Sequence, residues 1–168
     1  VSRDALGAFE RYFRGGGPAN ARGVLLYAAR LLGTDIDVDP PLELDAALAL
    51  DASGEPTPLS DIQPASGPVA LVIFYRASLL AGDYRPVTAL VDQLKGRGLH
   101  ATAVAVTSLK DPDVTGPLSD LIDRIRPDII INATAFSALR ADETTVLDAA
   151  DCPVLQVALA GHPHSASE

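Results

Sequence analysis

Several polar side chains fall just beyond the ends of apolar runs: Arg76, Ser78, Thr107, Ser108, Lys110, Asn132, Thr134 and Ser137. Arginine and lysine pair with carboxylates or phosphates, and hydroxyls and amides add hydrogen bonds. Together they suit an anionic small molecule that carries carboxylates. A plainer reading stands beside it. Serine, threonine and aspartate also cap the helices that begin at such points, and Asp111 before Pro112 is a good cap. Each residue taken singly suits the capping role better, while the edge as a whole suits either.

Other chemistry finds less support. No Gly-x-Gly-x-x-Gly follows an apolar run, and no Gly-x-x-x-x-Gly-Lys-Ser/Thr occurs. Dinucleotide and Walker-type phosphate sites therefore have no candidate. Gly15-Gly16-Gly17 follows a helical pattern instead of preceding one after a strand, which reads as a hinge. His162 and His164 flank a proline with no acidic or thiol partner nearby, so they read as a frayed end and not as metal ligands. His100 reads as exposed, Cys152 as an inert buried thiol, and Asp120 and Asp123 as a solvated helix face. No Ser/His/Asp arrangement is suggested, no metal set is expected, and the catalytic residues stay unassigned.

The elements that must position the polar edge read clearly from Pro68 onward. Val69–Tyr75 is a continuous apolar run, as a strand buried on both faces requires. Val87, Leu90, Val91 and Leu94 form a helical stripe ended by Gly96 and Gly98. A second strand covers Ala101–Val106. Leu118, Leu121, Ile122 and Ile125 mark a second helix, stopped by Pro127. Ile129–Ile131 gives a third strand, Val146, Leu147 and Ala150 a short helix, and Val154–Leu159 a fourth strand. This alternation predicts an α/β fold: a flavodoxin-like parallel sheet of four strands in the order 2-1-3-4. A flavin is not expected, because the first strand-end loop lacks a Ser/Thr/Gly phosphate cradle.

Residues 1–67 read as a helical lead-in and a Pro/acidic linker, 68–161 as the α/β domain, and 162–168 as a tail. In the lead-in, Leu6, Phe9, Tyr12 and Phe13 give one helical face, and Leu25, Leu26, Ala29, Leu31 and Leu32 a second. Leu44–Leu50 has room for one short strand or helical turn.

Composition narrows the partners. The chain has 168 residues, 48% hydrophobic and 21% charged, with net charge −9. It has the apolar content of a folded domain, and its acidity excludes a nucleic-acid footprint and docking on an anionic membrane. No apolar run approaches the ~20 residues of a spanning helix. No signal peptide is visible, and the single cysteine suits a reducing, cytoplasmic setting. Methionine is absent throughout, so the chain reads as an excised piece of a longer protein.

Several strings share one order with a known family. Tyr12–Asn20, Phe74–Asp83, Leu90–Gly98, Val106–Pro112, Ile131–Ser137 and Pro153–Val157 ending at Gly161 together resemble the large subunit of aerobic cobaltochelatase. Residues 34–67 stand apart from that pattern. The magnesium chelatase large subunit, which binds protoporphyrin IX, is a relative. The strand-end strings are more similar to the cobalt enzyme.

The resemblance implies an enzyme, an ATP-dependent metal–nitrogen ligase, of which this chain is a part. It would insert cobalt(II) into hydrogenobyrinic acid a,c-diamide during cobalamin synthesis. ATP hydrolysis, with magnesium, would belong to separate ATPase subunits, and no cofactor is expected on this chain. The other partners would be the remaining domains of the large subunit. Alone the chain would lack chelatase activity and would wall the substrate cleft or pack between domains. Arg76 and Lys110 would then pair with corrin carboxylates, Asn132 and Thr134 would donate to its amides, and Ser78 and Ser137 would join the same edge. The alternatives are the magnesium enzyme and a non-enzymatic small-molecule-binding or interaction domain.

Overall fold

The computed structural model describes residues 3–134 and 145–159. The chain forms two compact units. One comprises the residues up to Asp45 with Leu80–Gly82, the other Ala46–Leu79 with the residues from Asp83 on.

In the first unit, α1 (Arg3–Gly15) and α2 (Gly17–Leu31) pack on each other. They part at Gly16 and Gly17, whose φ values of 64° and 78° lie in the left-handed region that glycine enters freely. Pro18 then sits in the first turn of α2, where its missing N–H costs no hydrogen bond. The buried face takes only part of the predicted stripe: Tyr12 is buried and Phe9 half-buried, whereas Leu6 and Phe13 are exposed. Ala5, Ala8, Tyr12 and Gly15 are buried on α1, and Asn20 and Gly23 on α2. Leu6, Phe13, Leu25 and Leu32 are 61–88% exposed. Small residues bring the helices close, and the rings fill the remaining space. Phe9 meets Tyr27 edge-on at 5.3 Å between ring centroids.

Gly23 shows how close the approach is. A Cβ there would lie 2.4 Å from Cε1 of the buried Tyr12 ring. Alanine gains roughly 1 kcal/mol of helix propensity over glycine, whereas overpacking costs about 1–3 kcal/mol. Gly23→Ala is therefore expected to destabilise this unit, read as faster proteolysis within α1 and α2. A variant as resistant as the parent would contradict the packing.

The second unit is built on one sheet. Its strands are β1 (Ala47–Leu50), β2 (Pro56–Thr57), β3 (Val69–Tyr75), β4 (His100–Val106), β5 (Ile129–Asn132) and β6 (Val154–Gln156). Their order is β2-β1-β4-β3-β5-β6. β3 pairs in parallel with β4 and β5, and β5 with β6. β1 pairs antiparallel with both β4 and β2. The α/β class holds, but among the described residues the sheet has six strands where four were predicted. The additional pair comes from the stretch read as linker, where β1 takes the strand option read at Leu44–Leu50 and β2 had no reading. β1 is buried along its whole length, with Ala47 opposite Val106.

The helices are α3 (Arg76–Leu80), α4 (Arg85–Gly96) and α5 (Pro112–Ile125). α5 lies over one face of the sheet. Its Leu118, Leu121 and Ile122 join Leu71 and Ile73 of β3, Val104 and Val106 of β4 and Ile130 of β5 in the main core. α4 packs on β3 and β4 with Val87 and Val91 buried. Arg124 of α5 donates from Nε to the Ile62 carbonyl at 3.2 Å and from Nη2 to the Leu59 carbonyl, which ties the incoming 59–62 turn to the helix. The predicted third helix is a 3-10 turn at Val146–Ala150, and the last strand stops at Gln156 instead of Leu159.

Candidate functional site

The parallel strands bring their carboxyl ends to one edge, where chain direction lets ligands approach. A groove of about 520 Å³ opens there. Phe74, Tyr75 and Ser78 line it from the end of β3 and α3, Ala133 from the end of β5, and Gln156 and Val157 from β6. It continues along Ala158 and Leu159. The lining is mainly apolar, with a serine hydroxyl and a glutamine among it. Such a surface suits the edge of a large apolar ring bearing a few polar groups.

A closed set of hydrogen bonds holds the β5–β6 side. Asn132 Nδ2 donates to Gln156 Oε1 at 2.9 Å. Asn132 Oδ1 accepts from the Thr134 N–H at 3.1 Å and from Thr134 Oγ1 at 2.8 Å. Gln156 Nε2 donates to the Thr134 carbonyl at 2.6 Å. Asn132 and Thr134 are each 2% exposed. Their polar atoms thus engage one another and Gln156. Gln156 was not among the sequence candidates, although a lone amide inside the apolar run Val154–Leu159 was a usable signal.

A second cluster forms where β4 runs into α5. Thr107 Oγ1 donates to Asp111 Oδ2 at 2.7 Å, and Asp111 Oδ1 accepts from the Asp113 N–H at 3.0 Å, capping α5. The Thr107 hydroxyl first, then the Asp113 amide, hold the Asp111 carboxyl below its ordinary value of 3.8 against the opposing effect of burial, and the Arg76 charge adds the smallest contribution in the same direction. Arg76, half-buried at the start of α3, therefore acts on this cluster. Lys110 is exposed, with its N–H on Ser108 Oγ at 3.2 Å, and it does not line the groove. Among the described residues of the predicted edge, the groove itself takes only Ser78. Ser137, His162 and His164 lie outside the described residues.

Asp111→Ala is expected to cost about 1 kcal/mol at neutral pH, the usual loss of a helix cap. Because the folded-state pKa is depressed, the carboxylate's contribution is present above the unfolded value of 3.8 and is lost as pH falls through the lower folded value. Urea melts should therefore show the gap between parent and variant narrowing below that range. A gap independent of pH would contradict the charged cap.

Elsewhere polar side chains take structural roles. Asp51 Oδ1 accepts from the Ser53 and Glu55 N–H groups and from Ser53 Oγ at 2.6–2.9 Å, shaping the β1–β2 turn. His100 Nε2 lies 3.0 Å from the Ser66 carbonyl. Burial, with the charges of Asp128 and Asp151, pushes the Cys152 thiol up, against reactivity as a thiolate. Among the described residues no three His, Cys, Asp or Glu side chains gather as a metal-binding group, and no helix is long and apolar enough to cross a membrane.

The sequence pattern of the CobN/Magnesium Chelatase family matches residues 10–166, including the stretch 34–67 in which no family pattern was evident. The chain is 42% identical over 97 residues to the aerobic cobaltochelatase subunit CobN of Sinorhizobium sp, covering 56% of this chain and 8% of that protein. It is 27% identical over 154 residues to the same subunit of Pseudomonas aeruginosa, covering 88% of this chain and 12% of that one. The catalytic subunit of cobaltochelatase from Mycobacterium tuberculosis shares the fold, with a TM-score of 0.62 and 22% identity over 93% of this chain and 13% of that chain. The sequence thus spans about a tenth of the length of the proteins it matches. With the family match running through both units, the chain belongs to the CobN/magnesium chelatase family.

Proposed function

We propose that this chain is part of the large, corrin-binding subunit of a cytoplasmic cobaltochelatase. That enzyme inserts cobalt(II) into hydrogenobyrinic acid a,c-diamide in cobalamin biosynthesis. ATP hydrolysis, with magnesium, takes place on separate ATPase subunits. The observation that carries the reading is the family match over residues 10–166, joined to two relatives that are both cobaltochelatase subunits. Those names favour cobalt over magnesium. The four parallel strands supply a flavodoxin-like frame, into which residues 1–67 lead through the antiparallel pair β1 and β2.

Within that enzyme, the groove at the carboxyl edge walls part of the corrin cleft. Its apolar lining takes the ring edge, and the Ser78 hydroxyl meets a polar substituent. Arg76 and Lys110 supply positive charge for corrin carboxylates in a chain of net charge −9. Asn132 and Thr134 act through Gln156, holding the β6 wall in place. The base that takes the ring N–H protons and the ligands that deliver cobalt belong to the rest of the subunit, and this chain alone has no chelatase activity.

The test is a calorimetric titration of the full-length subunit with hydrogenobyrinic acid a,c-diamide. Ser78→Tyr, which fills the groove, and Arg76→Ala, which removes a charged partner, are each expected to raise Kd by about tenfold or more, since a hydrogen bond to a charged group is worth about 1.5–3 kcal/mol. Unchanged affinity in both variants would place the corrin elsewhere.

A further inference from the structure

β6 has the composition of an interior strand and the exposure of an edge. The run Val154-Leu155-Gln156-Val157-Ala158-Leu159 is apolar apart from Gln156, as is β3, which is buried at six of its seven positions. Yet all three residues of β6 are exposed, Val154 to 42% and Leu155 to 51%, and Leu159 just beyond it to 38%. Successive side chains of a strand point to opposite faces, so Val154 and Leu155 leave both faces of β6 uncovered.

The opposite edge of the sheet is different. β2 has two residues, one of them Pro56, which blunts pairing. Among the described residues β6 pairs only with β5 and carries no proline or charge within the strand. Its amides alternate. The Ile130 N–H donates to the Pro153 carbonyl at 2.9 Å and the Val157 N–H to the Asn132 carbonyl at 2.9 Å. In a parallel ladder that phase turns the Leu155 and Val157 amides toward β5 and those of Val154 and Gln156 toward the open side.

We infer that β6 is an interior strand of a wider sheet, whose open edge takes a parallel strand from the same polypeptide outside these 168 residues. Two observations select that occupant. The matched relatives are roughly ten times longer than the stretch they share with this chain, so the family's polypeptide has ample further sequence to supply it. The sheet also grows from β3 to β5 to β6 by parallel addition on one side, and a further crossover continues that direction and brings a helix to cover a face. A second copy related by a two-fold axis would pair β6 antiparallel with itself and supply no such helix. The inference rests on the chain being part of the large subunit, but not on where the corrin binds.

The experiment is hydrogen exchange on the substrate-free full-length subunit, resolved to single amides across residues 153–159 by electron-transfer fragmentation. Slowing of the Val154 and Gln156 amides by about a hundredfold or more, unchanged on dilution, is the expected result. Exchange of both at the unprotected rate would overturn the inference. Protection that vanishes on dilution in step with dissociation of a dimer, followed by light scattering, would also overturn it, since the partner would then be a second copy. Corrin titration of the same sample tests the proposed function separately: corrin binding without protection overturns this inference alone, and protection without corrin binding overturns the proposed function alone.

Discussion

Asn20→Ala is expected to unfasten the helical unit, at a cost of about 3–5 kcal/mol. Asn20 is 1% exposed and makes three hydrogen bonds of 2.8 Å. Nδ2 donates to the Gly16 and Leu42 carbonyls, and Oδ1 accepts from the Leu42 N–H. One side chain thus joins the start of α2 to the extended segment that follows it. Truncation leaves one N–H and two carbonyls without this partner in a site shielded from water, and each such group costs about 1–3 kcal/mol. The Tyr12 hydroxyl, donating to the Asp39 carbonyl, is then left to hold the segment. Limited proteolysis should show cleavage between residues 35 and 45 at protease levels that leave the parent intact. Asn20→Asp separates bonding from size. A carboxylate accepts from the Leu42 N–H but cannot donate to the two carbonyls, so this variant should be damaged at neutral pH and recover in part as acid protonates it. An Ala variant as protease-resistant as the parent would remove Asn20 from this role.

Which parts of the fold were legible follows from how far apart the determining residues lie. β3 is written in one uninterrupted apolar run, and the strand occupies Val69–Tyr75 as read. α5 is equally local: Asp111 caps it, Pro112 opens it, and Arg126 at φ 45° before Pro127 ends it. β1 and β2 were harder. Ala47–Leu50 is four residues of modest strand preference, and what makes it a strand is pairing with β4 more than fifty positions away. No local pattern contains that register. The helical unit misled for a different reason. Periodicity weights large apolar residues and finds Phe9 and Tyr12, but it passes over Ala5, Ala8, Gly15 and Gly23, where smallness is the requirement. Leu6 and Phe13 follow Ala5 and Tyr12 by one residue, which is enough to turn them outward.

The polar edge was legible as a place but not as a set of roles. Chain direction and turn positions put Ser78, Thr107, Asp111, Asn132 and Thr134 at the carboxyl ends of the strands. Which of them face a groove depends on burial and on partners far apart in sequence. Asn132 and Gln156 are 24 positions apart and share a hydrogen bond, whereas Lys110 stands exposed and apart from the groove lining. Two buried asparagines, Asn20 and Asn132, thus do similar work in the two units. Each joins an element to a more distant segment through an amide that both donates and accepts.

Asn132→Ala is therefore expected to release β6, with a loss of about 2–4 kcal/mol at that edge. The Thr134 N–H and hydroxyl lose their acceptor, and Gln156 Oε1 loses its donor. Asn132→Asp tests the direction of the bonds. The carboxylate still accepts from Thr134, but it sets an oxygen against Gln156 Oε1, 2.9 Å from the atom it replaces. Turning the Gln156 amide over relieves that contact only by facing its oxygen to the Thr134 carbonyl, where Nε2 now donates. Neither orientation satisfies both ends, so Asp should fail nearly as badly as Ala at neutral pH. Hydrogen exchange across 153–159 in the substrate-free full-length subunit reads the release directly. If the groove walls the corrin cleft as proposed, corrin affinity falls in the same variants, because the Gln156 and Val157 wall of the groove moves with β6. The pairing of the two readouts decides the role. If affinity falls while exchange across β6 stays at the parent rate, Asn132 touches the substrate itself; if the two change together, it acts by holding the wall.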